Sequence, residues 1–175
     1  MRKTADSRQC TLPEGDWFRW LVETAMRWSD DERTKNAAGI WHSGADALAW
    51  PVAHGVNGLP FGVSPPEVPG GESKYDWFVH AEASAIAKTS LESHRIGRFR
   101  LHALWASCPS CATLVAQAGV DEVVTLQRLH DLTPERWKAK VDTGLRILEA
   151  AGVTVRFFDE PLGVKLLFDG REVAL

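Results

Sequence analysis

Residues 98–126 read RFRLHALWASCPSCATLVAQAGVDEVVTL. RFRLHALWA (98–106) has the make-up of a strand, and PSCATLVAQAG (109–119) that of a helix. Pro109 suits the first helical position, where a missing N–H costs nothing, and Gly119 suits the residue past the last turn. DEVVTL (121–126) is a second strand. A strand, a crossover helix and another strand put the two strands side by side and parallel, with the helix covering one face. The unit repeats downstream. TPERWKAKVDTGLRILEAAG (133–152) predicts a helix with Thr133 as N-cap, Pro134 at the first position and Gly152 past its end. VTVRFF (153–158) then predicts a third parallel strand. Upstream, Gly15-Asp16 leads into a helix, DWFRWLVETAMRWS (16–29), followed by a polar turn, DDERTK. NAAGIWH (36–42) and ALAWPVAHG (47–55) read as two strands joined by the turn SGAD, a hairpin lying antiparallel on one edge of the sheet, with Pro51 marking an edge or bulge. WFVHAEASAIAKTSLES (77–93) predicts a helix. VKLLFDGREVAL (164–175) predicts a terminal hairpin turning at Asp169-Gly170. The expected class is α/β, with a five-stranded mixed sheet whose last strands are parallel, plus that hairpin.

The 175 residues suit one domain with a real core, and neither repeats nor a second domain is visible. Hydrophobic residues at 45% and charged residues at 25% are ordinary for a globular chain. A formal net charge of −3 lacks the basic footprint of a long nucleic-acid partner. No apolar run reaches membrane-spanning length, and MRKTADSRQCTLPEGD lacks the apolar centre of a signal peptide, so a cytoplasmic protein is expected. Three cysteines, an odd number, argue against a disulfide framework, and Cys10 stands alone in a polar leader. Eight tryptophans are many for this length. Trp17, Trp20, Leu21 and Trp28 follow helical spacing and predict one packed apolar face. Trp105, beside the cysteines, is a candidate pocket wall.

Cys108 and Cys111 sit where a strand ends and a helix begins. In open α/β sheets this is where ligands bind, and a helix N-terminus favours the thiolate form that binds metal. C-x-x-C by itself suits a redox dithiol, a disulfide, half of a structural zinc site or part of a catalytic one. A zinc ribbon needs a second pair, and none exists. The other segment with matching chemistry is VHAEASA, which carries His80 and Glu82. H-x-E followed by C-x-x-C, each opening a helix beside the same sheet edge, is the zinc deaminase signature. Three protein ligands leave zinc an open fourth position, the mark of a catalytic site. Histidines 42, 54, 94, 102 and 130 show no ligand spacing.

With these motifs in place, residues 17–158 resemble the cytidine and deoxycytidylate deaminase superfamily, and most resemble its deoxycytidylate deaminase branch. SDDERTKNAAGI (29–40) is similar to S-x-D-x-x-T-K-x-G-A, and GVNGLPFGV (55–63) to G-Y-N-G-F-P-R-G. KYDWFVHAEASAI (74–86) is similar to the segment ending H-A-E-R-N-A-I, and SCPSCATLVAQAGVDEVV (107–124) to P-C-x-x-C-A-x-x-I-I-Q-A-G-I. The resemblance implies a three-layer α-β-α fold, with one deaminase domain over 1–175, its core at about 16–158 and an extension at 159–175. It also implies hydrolytic deamination with Zn2+ held by His80, Cys108 and Cys111, and Glu82 moving protons between water, the ring and the leaving amine. The Ala81 N–H and the Ser107 carbonyl are implied contacts for the ring carbonyl and amino groups, and Asn57 for a sugar hydroxyl, although Asn-Gly favours a turn in any case.

Departures from the pattern bear on the substrate. Phe61 stands where the branch has arginine, which removes a cation for a 5′-phosphate. Ala83-Ser84 replaces R-N, and Ser107 replaces proline. Arg33, Lys35 and Lys74 are the remaining phosphate candidates. The expected reaction is deoxycytidylate-like, giving deoxyuridylate and ammonia. A nucleoside, free base or modified nucleotide is the alternative. An editor of tRNA or single-stranded DNA, a non-catalytic zinc module and a redox dithiol are the competing readings. A small-molecule substrate, no membrane, no nucleic acid and a homo-oligomer complete the expectation.

Overall fold

The computed structural model describes residues 12–43, 51–64, 75–89 and 98–175. Cys10, Lys74, His94 and residues 44–46 of the SGAD turn lie outside the described residues. The elements run α1 (Glu14–Trp28), β1 (Ala37–Ser43), β2 (Ala53–Val56), α2 (Ala81–Lys88), β3 (Arg98–Ala103), α3 (Pro109–Gln117), β4 (Val120–Leu126), α4 (Gln127–Asp131), α5 (Glu135–Ala150), β5 (Thr154–Phe158), β6 (Lys165–Phe168) and β7 (Arg171–Ala174). The five-stranded sheet has the order β2-β1-β3-β4-β5. β1 pairs antiparallel with β2 and β3, while β3, β4 and β5 are parallel. The α/β class and mixed sheet expected from the sequence are therefore present.

Each face of the sheet carries a core. On one side Trp17, Phe18, Leu21 and Val22 of α1 pack with Trp41, Leu104, Val124 and Leu126. Leu166 and Phe168 of the hairpin extend this cluster. On the other side Ala81 and Ala85 of α2, Ala112 and Val115 of α3, and Leu148 of α5 cover Ile40, Phe99, Leu101 and Val123. Small residues let α2 lie close to the sheet. A Cβ on Gly55 of β2 would collide with the backbone of Ala81 and Ala85. Pro109 and Gly119 hold their expected places, with Gly119 at φ +73. Asp169 and Gly170 turn the terminal hairpin at φ 49 and 74, the doubly positive pair of a tight hairpin.

Several boundaries depart from expectation. α2 begins at Ala81 instead of residue 77. Val79 exchanges main-chain hydrogen bonds with Gly58 at 2.8 and 3.1 Å, so the chain up to His80 is extended. α5 begins at Glu135 with Pro134 at the cap. Thr133 does not cap it, because its hydroxyl accepts from Trp105 Nε1 at 3.0 Å and donates to the Leu129 carbonyl at 3.3 Å. The short helix α4 had no sequence signal. Trp28 is 62% exposed, with the Arg27 guanidinium 5.0 Å over its ring, so the buried stripe of α1 ends a turn earlier.

Candidate active site

The chain twice leaves an extended residue and enters a helix at the same edge of the sheet. His80 (φ −74, ψ 155) precedes α2, and Cys108 (φ −71, ψ 169) precedes α3. Cys111 follows one turn into α3 and is buried. His80 Nδ1 lies 3.3 Å from Cys108 Sγ and 3.4 Å from Cys111 Sγ. The three donor atoms fall within 4.8 Å of one another, and no other such group of three occurs among the described residues. Tetrahedral zinc, with Zn–S of about 2.3 Å and Zn–N of about 2.0 Å, spaces sulfur and nitrogen about 3.5 Å apart. The donor set and its spacing therefore fit the ion that the sequence implies.

The three groups share protons among themselves. A hydrogen bond from Cys111, helped by His80, outweighs burial and holds the Cys108 thiol down at about 4. Cys111, buried beside that thiolate, is pushed up. His80 is raised, chiefly by its hydrogen bond to Cys108. One ready thiolate at a helix N-terminus is what a soft cation needs. Glu82 is 3% exposed, and burial pushes its carboxyl up while His80 pulls against it. A carboxyl group in that position holds a proton more readily than an exposed one.

A cavity of about 650 Å3, counting its open mouth, contains this corner. His80, Glu82 and Cys108 line the cavity together with Asp31, Thr34, Asn36 and Asn57. Tyr75, Phe78, Trp105 and Trp137 form aromatic walls. Trp137 meets Tyr75 edge-on at 5.9 Å and Trp105 at 6.2 Å between ring centres. The aromatic walls suit a flat ring.

Each site residue read from the sequence has a definite place. Trp105 is a pocket wall. Asn57 lines the cavity, and its side chain also ties the floor together. Its Oδ1 accepts from Ser29 Oγ and the Asn36 N–H, each at 2.7 Å, and its Nδ2 donates to the Thr34 carbonyl at 2.7 Å. Ala81 is fully buried at the first turn of α2. The buried Ser107 hydroxyl adjoins the Glu82 carboxylate without completing a hydrogen bond of standard geometry. The Ser107 main-chain carbonyl packs against Gly144 of α5. Phe61 is fully exposed and is not among the residues lining the cavity. Arg33 pairs with Asp169 at 3.6 Å, and Lys35 Nζ donates to the Ser29 carbonyl at 2.6 Å.

Sequence reasoning missed the contribution of α5. Trp137, Val141 and Gly144 follow i, i+4, i+7 spacing and face the site. Trp137 and Val141 line the cavity, and Gly144 leaves room for the Cys108 loop. The signal was present, since a lone tryptophan and a glycine interrupt the otherwise polar run ERWKAKVDTG.

No protein-family model matches the chain. The deoxycytidylate deaminase of Mus musculus is 31% identical over 127 residues, spanning 67% of this chain and 66% of that protein. The deoxycytidylate deaminase of Pongo abelii is 29% identical over 114 residues, spanning 61% of this chain and 60% of that protein. The chain thus matches less than two thirds of the length of these curated relatives. The solved apo dCMP deaminase of cyanophage S-TIM5 shares the fold at a TM-score of 0.56, covering 85% of this chain and all of that one at 24% identity. The sheet order, the His-Cys-Cys corner and these similarities agree with one another: the chain is similar in sequence to deoxycytidylate deaminases and shares the fold of a solved dCMP deaminase.

Proposed function

We propose that this protein is a zinc-dependent aminohydrolase that deaminates the cytosine ring of a deoxycytidylate-like compound, releasing ammonia. The observation that carries the reading is the buried Glu82 carboxyl in the same cavity as His80 and Cys108, whose donor atoms group with Cys111. A purely structural zinc site has four closed ligands and needs no neighbouring acid or base. Zinc(II) held by His80, Cys108 and Cys111 would supply Lewis acidity and lower the pKa of water. Glu82 would take one proton from the water whose oxygen adds to ring C4 and pass it to the adjacent ring nitrogen, then take the second proton from the new C4 hydroxyl and deliver it to the amine as the C4–N bond breaks and ammonia leaves. The four aromatic walls hold the ring flat and keep bulk water out. The Ala81 N–H and the Ser107 carbonyl are the proposed contacts for the ring carbonyl and amino groups, and Asn57 the contact for a sugar hydroxyl. The relatives named for deoxycytidylate support this choice of substrate.

A second substrate reading, an unphosphorylated nucleoside or base, is favoured by one observation. Among the described residues no lysine or arginine lines the cavity. An ammonia-release screen of zinc-loaded protein against cytosine, adenine and guanine bases, nucleosides and monophosphates tests both. Release from cytosine compounds is expected, and release only from purines overturns the choice of ring.

The same reading treats residues 1–175 as one deaminase domain acting in the cytoplasm as a homo-oligomer. Exposed Trp28, Met26 and Leu114 motivate the last point. Sedimentation of a monomer at micromolar concentration would reject it. The acidic balance counts against long nucleic acid as substrate, and no helix among the described residues is long and apolar enough to cross a membrane.

A further inference from the structure

Arginine pairs with phosphate through charge-assisted, often bidentate, hydrogen bonds. Two arginines are chain neighbours of residues that line the cavity. Arg33 precedes the lining residue Thr34, and Arg136 precedes the lining residue Trp137. Both turn to the protein's own carboxylate. Asp169 at the tip of the β6–β7 hairpin accepts from Arg136 at 2.5 Å, and it lies 3.6 Å from Arg33 and 4.0 Å from Arg171. Its side chain is 14% exposed, whereas those of Arg33 and Arg136 are 57% and 44% exposed.

The hairpin tip is held there by the backbone. The Asp169 N–H donates to Thr34 Oγ1 at 3.2 Å, the Gly170 N–H to the Arg33 carbonyl at 2.7 Å, and the Lys35 N–H to the Leu167 carbonyl at 2.9 Å. Phe168 meets the pocket wall Trp105 edge-on at 5.0 Å. The acidic side chains lining the cavity, Asp31 and Glu82, offer an anion nothing. A phosphate arriving beside Thr34 and Trp137 would therefore compete with Asp169 for these arginines.

We propose that Asp169 is a specificity-determining residue that sets how much a 5′-phosphate contributes to substrate binding, by engaging Arg33 and Arg136 from outside the cavity. The proposal rests on the deaminase reading for the identity of the ring, and it adds what governs the phosphate. Asp169→Asn is the informative change. Asparagine tolerates positive φ, so the turn survives while the charge is lost.

The test is calorimetric binding of the expected products, deoxyuridine and deoxyuridylate, which are not consumed, to the zinc-loaded full chain. Wild type, Asp169→Asn and the double variant Asp169→Asn/Arg136→Gln are compared. The ratio of the two dissociation constants should move toward the monophosphate by at least about tenfold in Asp169→Asn, the size of one charge-assisted contact. It should fall back in the double variant. Asp169→Gly, which keeps the turn by a different route, should move the ratio the same way. An unchanged ratio, equal weakening of both ligands, or a shift that survives Arg136→Gln overturns the proposal. Ammonia release is read separately, so failure of the deaminase reading shows as binding without turnover.

Discussion

At the scale of single residues the site depends on a close approach as well as on ligands. Gly144 touches the Ser107 carbonyl, one residue before the ligand Cys108. Helix propensity alone says that Gly144→Ala stabilises α5 by about 0.5–1 kcal/mol. The added Cβ, however, lands on the main chain of the metal loop, and overpacking costs about 1–3 kcal/mol. The clash wins. Gly144→Ala should lower the melting temperature and weaken zinc retention against a chelator, and a melting temperature raised by the substitution would show that the contact is slack. The grouping of His80, Cys108 and Cys111 was legible because H-x-E and C-x-x-C carry fixed chemistry at fixed spacing. Gly144 and Trp137 were not, because only the packing of α5 on α3 gives them a role. Asn57 could be read as a turn or as a contact. It is a structural tie of the cavity floor, and its proposed sugar contact shares that side chain.

At the scale of elements the parallel half of the sheet was readable from its punctuation. Pro109, Gly119 and Gly152 mark helix ends by backbone chemistry that tertiary context does not override. The starts of α2 and α5 were misplaced because long-range partners decide them. Val79 is claimed by Gly58, and Thr133 by Trp105. A similar long-range tie fixes α1 to the sheet. Glu14 at its first turn accepts from His102 at 2.8 Å and from Arg156 at 2.6 and 2.8 Å. His102 is fully buried and its Nδ1 has no partner, which fits a neutral ring donating from Nε2. Burial alone would raise the Glu14 carboxyl, but the hydrogen bonds from His102 and Arg156 outweigh it and hold it at about 2. A depressed carboxyl stabilises the fold above its unfolded pKa and loses that contribution as pH falls. Glu14→Gln should therefore cost about 1–3 kcal/mol at pH 7. The gap in melting temperature from wild type should close as pH drops from the ordinary value of 4.5 toward about 2. A gap that stays constant over that range would contradict the linkage.

At the scale of the whole molecule the His-Cys-Cys corner joins segments about thirty residues apart, with the α2 and α3 layer on one side of the sheet and the opening of the cavity beside it. Zinc bound there stabilises the native state by mass action, about 2.7 kcal/mol when free metal is a hundredfold above its dissociation constant. Chelation should lower the melting temperature reversibly, and re-addition of zinc should restore it. An identical melting curve with and without chelator would remove the metal from the account. The proposed control over a substrate phosphate was not legible in the sequence. It depends on how the C-terminal hairpin directs Asp169 at Arg33 and Arg136, a relation between residues 33 positions apart and more. The central claim, hydrolytic deamination by Glu82 beside a His80, Cys108 and Cys111 metal, is tested most directly by one paired measurement. Zinc content and ammonia release from deoxycytidylate and deoxycytidine are determined on the same preparations of wild type and Glu82→Gln. The account predicts about one zinc per chain in both, as the three-ligand corner requires, ammonia from the wild type, and at least about a hundredfold less from the variant. A wild type that holds zinc but releases no ammonia from either compound, or a variant that matches it, would contradict the account.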